Sequence, residues 1–473
     1  MEGVVIDTNV FVAAGFNPRS ASARILEGVR EGRFRLIWNQ PTRRETEIIL
    51  RRIPRLDWQK VADLFRPEDE FTGPADPAAF TVIADPDDRK FAALSAAANA
   101  PLVTSDKLVL EQRGRIGIEI VLRRVIFWHE NANEGLSGRT AVTIPKRVAV
   151  TEVSHWHSVN DASYLRILRD LGCDIVGVSD RSARIAGERA EQFGGTPFTD
   201  YRQMIEATKP EFVIALGRHC DMPEIFRFLV DAGVPFVMEK PWGTDPETVA
   251  GLARLAAATG AWVGVPFMSR YSFWAVTVKR MIEAGEFGKI SHIFFRGIRP
   301  TMRRYVEWNS PWMADKSLAG GGALLNLGGH GFDMARFITG EELQVASAVV
   351  SRQVHGGEVE DYALATLRTP SGILFHNEVG YTMPTWPANQ TDGEQKVAGE
   401  RLLLRQAAGG LQLFAPGRDE FIPQPADWQA GYPRVIRDAL EAYGRGDPPP
   451  IPASECARAV RLIFDSYRAA GVR

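Results

Sequence analysis

Cysteine is scarce in this chain. Cys173, Cys220 and Cys456 are the only three in 473 residues, and they are scattered without metal-ligand spacing. That argues against a disulfide framework or a zinc site and fits a reducing compartment. Excess charge is also missing: a net charge of -2 gives no global attraction to nucleic acid or an anionic membrane, so any such partner needs a local patch. No apolar run approaches bilayer-spanning length. The N-terminus has Glu2 and a short apolar run broken by Asp7, so it lacks the basic start and long apolar core of a secretion signal. A cytoplasmic protein without a membrane partner is therefore expected. No low-complexity block or internal repeat is evident. What is present is ordinary for an enzyme: 45% hydrophobic and 24% charged residues, in a chain too long for one core, so two or three domains are expected.

The first segment opens with an apolar strand pattern, "GVVID", and alternates helix-like and strand-like runs as far as "EIVLRRVIFWHE", an α/β module over residues 1–128. Residues 129–145, which hold "ENANEGLSGRTAVTIP" from Glu130 to Pro145, are marked as a linker because that run is polar, small and non-periodic. A second start follows at 146. "RVAVT" reads as a buried strand, Ser158 to Leu171 as a helix, "DIVGVSD" as a strand, and the alternation continues to "AWVGVP". Strands alternating with helices over 146–266 imply a doubly wound parallel sheet. From 267 to 473 the rhythm changes to long strands separated by short turns, with a glycine-rich stretch opening a helix (Gly320 to Thr339) and a helical C-terminal run. That pattern predicts an α+β domain with a mainly antiparallel sheet and one helical face.

In the first module Asp7 ends the strand of "VVIDTNVFVAAGF", Glu45 lies on the helix pattern "RRETEIIL", Asp88 begins another in "DPDDRKF", and Asp106 follows a strand in "LVTSDK". Carboxylates at strand ends and helix starts of a parallel sheet converge at its C-terminal edge. Gathered there they need a cation, and oxygen-only ligands suit magnesium or manganese. The competing reading makes the aspartates helix caps. The ordered set over residues 3–122 resembles a PIN domain, a family of metal-dependent ribonucleases. That resemblance implies Asp7, Glu45, Asp88 and Asp106 as metal-binding residues, with Asn9 and Thr104 or Ser105 in support, and RNA as the partner. Arg43, Arg44, Arg51, Arg52 and Arg55 around the Glu45 helix would hold a phosphate backbone or simply form a solvated face.

A dinucleotide fold places glycines between its first strand and helix so that backbone can approach a pyrophosphate. Here the stretch reads "TEVSHWHS", with Glu152, Ser154 and His157 where glycines would stand. A carboxylate there repels phosphate; His155 or His157, if protonated, would offset it. Asp180 ends the second strand where an acid would bind the adenosine ribose and favour NAD, while Arg181 beside it would favour NADP. Alternatively Asp180 caps the next helix.

"VPFVMEKPWGTDPE" resembles the Glu-Lys-Pro signature of the Gfo/Idh/MocA oxidoreductases, "EAGEFGKISHIFFRG" the start of their second domain, and "GGGALLNLGGHGFDMARFITG" their substrate-site helix. The likeness covers residues 146–471. It implies a Rossmann fold, an NAD or NADP cofactor contacted by Glu239, Lys240 and Pro241, and a sugar, inositol or similar polyol substrate. It also implies self-association through the C-terminal sheet. Lys240 and His330 become the proton-transfer residues, with Asn326 where many members have Asp, and Asp333 their neighbour on the same helix face. Asn326 cannot act as a base but can hydrogen-bond a substrate hydroxyl. The expected function is thus a nicotinamide-dependent oxidoreductase fused to a ribonuclease. Two alternatives stand beside it: a Rossmann part that binds ligand without redox turnover, and a PIN module that is an interaction domain only.

Overall fold

The computed structural model describes residues 2–16, 21–104, 106–110, 112, 116–118, 120–122, 143–384, 391–425 and 428–472. The chain divides into two compact units, Met1–Thr140 and Ala141–Arg473. Most of the expected linker, residues 129–142, lies outside the described residues, as does Ser105.

The first unit is a four-stranded parallel sheet of β1 (Glu2–Ile6), β2 (Phe34–Leu36), β3 (Leu102–Thr104) and β4 (Ile120–Leu122), in the order β2-β1-β3-β4. Its apolar strands are buried because helices cover them. Val5, Leu102 and Ile120 pack with Phe91 and Leu94 of the helix Arg89–Ala98. The helix Gln40–Arg52 starts where a capping box dictates: Asn39 Oδ1 accepts the Thr42 N–H at 3.1 Å while Thr42 Oγ1 accepts the Asn39 N–H at 3.2 Å. That start places Glu45 in the second turn.

The second unit opens with a six-stranded sheet, all of whose pairings are parallel. Its strands are β5 (Arg147–Val150), β6 (Asp174–Ser179), β7 (Thr196–Phe198), β8 (Phe212–Ala215), β9 (Phe236–Met238) and β10 (Val263–Gly264), in the order β10-β9-β8-β5-β6-β7. The strand order reverses beside β5, so the loops after β5 and β8 flank a crevice where such sheets bind ligands. Thr151 ties these loops together: its hydroxyl donates to the Leu216 carbonyl at 2.8 Å and accepts the Leu216 N–H at 2.9 Å.

The helix expected from Ser158 to Leu171 is much shorter. Only Tyr164–Asp170 is helical, preceded by one 3-10 turn at Trp156–Ser158. Asp161 (φ 47°) and Ser163 (φ 55°) take left-handed conformations that no right-handed helix accommodates. Residues 151–163 are therefore a long loop and not a tight strand-to-helix turn.

The third sheet has eight strands, in the order Gln344–Ser351, Tyr362–Arg368, Leu374–Met383, Ile290–Pro300, Asp392–Gly399, Leu403–Ala407, Gly410–Ala415 and Arg418–Pro423. One pair, Ile290–Pro300 with Leu374–Met383, is parallel and the rest are antiparallel. The glycine-rich stretch between its strands Ile290–Pro300 and Gln344–Ser351 forms a π turn, Leu324–Gly328, that runs into the α-helix Gly329–Thr339. Its glycines serve close packing. A Cβ on Gly322 would stand 1.9 Å from the Glu360 carbonyl oxygen, and one on Gly331 would stand 2.4 Å from Asn377 Oδ1. Glu360 pins the start of this element by accepting the N–H groups of Gly322 and Leu324 at 2.9 Å each, and Asn377 Nδ2 donates to the Gly328 carbonyl at 3.0 Å. Among the described residues no helix is long and apolar enough to cross a membrane.

Candidate functional site

In the first unit Asp7 follows β1, Asp106 follows β3, and Asp88 stands at the start of the helix Arg89–Ala98. Asp7 is buried; its carboxylate accepts Asn9 Nδ2 at 2.6 Å and the Thr104 hydroxyl. Burial, reinforced by Glu45 and Asp106, pushes the Asp7 carboxyl up to about 6, against hydrogen bonds from Thr104 and Asn9 that lower it. Burial with Asp7, Asp106, Asp85 and Glu45 pushes Asp88 up to about 7. Asp88 makes no capping hydrogen bond, which removes the capping reading for it. Asp106 does cap: its Oδ1 accepts the N–H groups of Leu108 and Val109 at 2.8 and 3.3 Å.

The four acids share one electrostatic field, but among the described residues no group of three is spaced to hold a metal ion. The expected four-ligand set is thus not assembled. One reason is visible: Glu45 is ion-paired with Lys90, whose Nζ also lies 3.4 Å from Asp87. Oxygen-only donors whose carboxyls raise one another fit a hard divalent cation. Lys90 must release Glu45 before that acid can join. Lys90 carries no signal of this role in the sequence, although it lies inside "DPDDRKF". Of the arginines, Arg43 stacks over Trp38 and Trp58 and Arg51 pairs with Glu47. Arg44, Arg52 and Arg55 are exposed.

In the second unit β9 runs directly into Glu239, Lys240 and Pro241, all buried. Lys240 Nζ donates to both the backbone carbonyl and Oδ1 of Asn326, at 2.8 and 2.7 Å. Asn326 Nδ2 in turn reaches the hydroxyls of Tyr305 and Tyr381, each at 2.8 Å. Neither tyrosine carries a sequence signal for this role. Burial pulls the Lys240 pKa down, opposed by Glu239. Burial and then the Lys240 charge hold His330 well below the usual histidine range, so its imidazole is neutral. Glu239 Oε1 accepts Nδ1–H of His157 at 2.9 Å and the Tyr164 hydroxyl. Pro241 offers its carbonyl to the Cys456 thiol.

Asp333 departs from this cluster. It accepts two hydrogen bonds from Arg270, at 2.8 and 2.6 Å, and Arg270 also meets Glu455 at 2.6 Å. Shared helix spacing led to the expectation of a neighbour of His330 at the reacting centre; the buried guanidinium of Arg270 claims it instead. Asp333→Ala should therefore destabilise the second unit by about 2 kcal/mol, the usual cost of losing charge-assisted hydrogen bonds, since Arg270 keeps Glu455. Urea unfolding would check this, and a loss near zero would return Asp333 to the chemistry.

The loop after β5 shows how the missing glycines are replaced. Glu152 adopts φ 46°, the conformation glycine would supply, and is buried. Its carboxylate lies 3.3 Å from Arg181 Nε, and Arg181 also pairs with Asp221 at 2.9 Å, which Arg218 meets at 2.5 Å. Burial and then Asp180 push Glu152 up to about 7, against Arg181. Asp180 does two things: Oδ1 accepts the Ser182 N–H at 2.9 Å, and Oδ2 accepts the Ser154 N–H at 2.6 Å; the helix Ala183–Phe193 is capped by Ser182 and not by Asp180. The Ser154 carbonyl accepts the Ser310 hydroxyl at 3.0 Å. His155 stacks on Trp156 at 3.9 Å. Its Nδ1 accepts the His157 N–H at 3.2 Å, so Nε2 carries the proton.

That Nε2 is buried without a partner among the described residues, as are Glu239 Oε2, His219 Nε2 and His330 Nδ1. Burying polar atoms unsatisfied is costly. Their concentration around Lys240 is what a polar bound group would correct, so the nicotinamide end of a dinucleotide fits here. At the pyrophosphate end the fit holds for the protonated form of Glu152, whose ionised form is repulsive.

Residues 3–108 match the PIN domain, residues 152–267 the oxidoreductase family with an NAD-binding Rossmann fold, and residues 275–401 the GFO/IDH/MocA C-terminal domain. The chain is similar to inositol 2-dehydrogenase 2 of Saccharopolyspora erythraea, 26% identical over 215 residues, which are 44% of this chain and 59% of that protein. It is similar to levoglucosan dehydrogenase of Pseudarthrobacter phenanthrenivorans, 30% identical over 209 residues, 41% of this chain and 50% of that protein. The chain thus spans only half to three-fifths of the length of these relatives. In fold it resembles an inositol dehydrogenase homologue from Azotobacter vinelandii solved with NAD+, with TM-score 0.61 and 18% identity over 71% of this chain and 98% of that one. The chain joins a PIN domain to an oxidoreductase unit that belongs to the GFO/IDH/MocA family, Rossmann fold first and C-terminal domain second.

Proposed function

We propose that the second unit oxidises a sugar, inositol or similar polyol with NAD, or with NADP, and that the PIN domain is a magnesium- or manganese-dependent ribonuclease. The observation that carries the oxidoreductase reading is the buried lysine: Lys240 held by Asn326, with neutral His330 on the following helix and unpartnered polar atoms around them. The nicotinamide, when bound, supplies the hydride acceptor. Lys240 and His330 hold or accept the alcohol proton, Asn326 orients Lys240, and Glu239 fixes His157. Names of the relatives point to inositol and levoglucosan as the first substrates to try. We place the protein in the cytoplasm, with the eight-stranded sheet as the surface for self-association.

A second reading has its own support. Asp180 spends both oxygens on backbone N–H groups, and Arg181 is clamped by Glu152 and Asp221. Such a cleft is also what a ligand-binding module without turnover would keep.

Titration of NADH fluorescence at several pH values separates the two. Groups facing Glu152 are Asp180, Arg181, Asp221, Arg218 and Tyr201. Because Glu152 is neutral below about 7 and ionised above it, wild-type affinity for NAD(H) should rise as pH falls through that value. Glu152→Gly should flatten the profile and tighten binding at alkaline pH by about tenfold, equivalent to about 1.4 kcal/mol. Absence of NAD(H) binding in both proteins at every pH would overturn the oxidoreductase reading and leave the second.

A further inference from the structure

A cavity of about 440 Å³ opens between the loop after β5 and the end of the strand Ile290–Pro300, lined by Asn160, Asp161, Ser163, Arg299, Arg304 and Trp308. Its size falls in the range that encloses small ligands, and a monosaccharide fits it. One wall leads straight to the reacting cluster. Arg304 donates to the Tyr305 hydroxyl at 2.8 Å, that hydroxyl accepts Asn326 Nδ2, and Asn326 holds Lys240.

Arg304 is the unusual member. Only 3% exposed, it lies over the rings of Tyr305, Tyr381 and Trp308 at 4.7, 5.4 and 5.9 Å, yet no carboxylate pairs with it among the described residues. Its Nε is buried without a partner among those residues. Arg299, half-buried, likewise forms no ion pair among them. Among the described residues Asp161 is the one acid in the lining, so there two guanidinium groups face one carboxylate and the lining carries about one uncompensated positive charge. A buried charge normally has a counter-ion.

We propose that this cavity is the substrate compartment and that it selects a sugar or polyol carrying one carboxylate. Arg299 and Arg304 bind the anion, Trp308 covers the carbon skeleton, and Asn160 and Asp161 accept hydroxyl hydrogen bonds. A guanidinium matches a carboxylate in planar, paired geometry. A phosphate monoester brings close to two charges at neutral pH, more than the lining offsets. The word substrate rests on the oxidoreductase reading; the ligand preference rests on the cavity alone.

Isothermal titration calorimetry on the full chain, without cofactor, tests it with D-glucuronate, D-glucose and D-glucose 6-phosphate as probes. Glucuronate should bind at least about tenfold tighter than glucose and tighter than glucose 6-phosphate. Arg299→Gln should erase the margin over glucose. Asp161→Asn should widen it, because it removes the one repulsive charge, and Asn tolerates the left-handed backbone at that position (φ 47°). Opposite signs from two variants distinguish recognition from misfolding. Glucose binding as tightly as glucuronate, glucose 6-phosphate binding tighter, or a margin that survives Arg299→Gln overturns the proposal. Glucuronate binding without any reduction of NAD+ would sink the oxidoreductase reading and leave the cavity assignment standing; turnover of neutral polyols with no anion preference would do the reverse.

Discussion

Replacing Lys240 with methionine should cut polyol oxidation by about a thousandfold while leaving NAD(H) binding nearly unchanged. The magnitude is that of losing a positioned acid–base group. The separation of effects follows from geometry: both resolved hydrogen bonds of Lys240 Nζ go to Asn326, and neither goes to Glu152, Ser154 or Asp180. Methionine keeps the buried stem and removes the ammonium, so packing changes little. Steady-state assays of NAD+ reduction beside NADH fluorescence titrations check both halves. Turnover that survives Lys240→Met would remove this residue from the chemistry, and lost cofactor binding would make it a structural post.

Asp7→Asn should lower metal-dependent cleavage of single-stranded RNA by at least about a hundredfold, since a lost charged ligand forfeits several kcal/mol of metal-borne stabilisation. The fold should survive, because Asn9 and Thr104 still find an amide oxygen at that position. The raised carboxyls also fix a pH dependence. Asp7, moved from 3.8 to about 6, contributes stability that is fully present below its unfolded value and is lost as pH rises through about 6. Asp88 behaves alike, through about 7. Metal-free protein should therefore melt at progressively lower temperature between about pH 4 and pH 7, and manganese should restore it. Thermal melts with chelator and with manganese, scored beside gel assays of RNA cleavage, test both statements. Cleavage that persists in Asp7→Asn and under chelation would dismiss the ribonuclease reading.

Much of the architecture was legible in the sequence because local pattern carries it. The apolar strand ending at Asp7, the alternation that predicts a parallel sheet, and the Glu239-Lys240-Pro241 run after a buried strand all lie where pattern placed them. What stayed hidden depends on partners distant along the chain. Arg270 captures Asp333 from 63 residues away, and helix periodicity cannot report that. Tyr305 and Tyr381 reach Asn326 from a short helix and a strand; their spacing from it carries no motif. The shortened helix after β5 escaped because left-handed Asp161 and Ser163 interrupt an apolar pattern that otherwise reads as helical. Lys90 stands inside the acidic run "DPDDRKF", where nothing local marks it as the counter-ion of Glu45.

The helix Ala453–Ala469 fastens the Lys240 region at three points. Cys456 meets the Pro241 carbonyl, Glu455 meets Arg270 and Arg336, and the Tyr467 hydroxyl meets Glu360, which pins the turn bearing Asn326. Every group it secures lies earlier in the chain, and synthesis runs from the N-terminus. Sheets and loops of the second unit therefore emerge before the clamp that sets their side chains in register. The PIN domain can fold while translation continues, whereas the lysine centre matures only once this helix has docked. In time as well as in space, the chain carries an early domain and a late one.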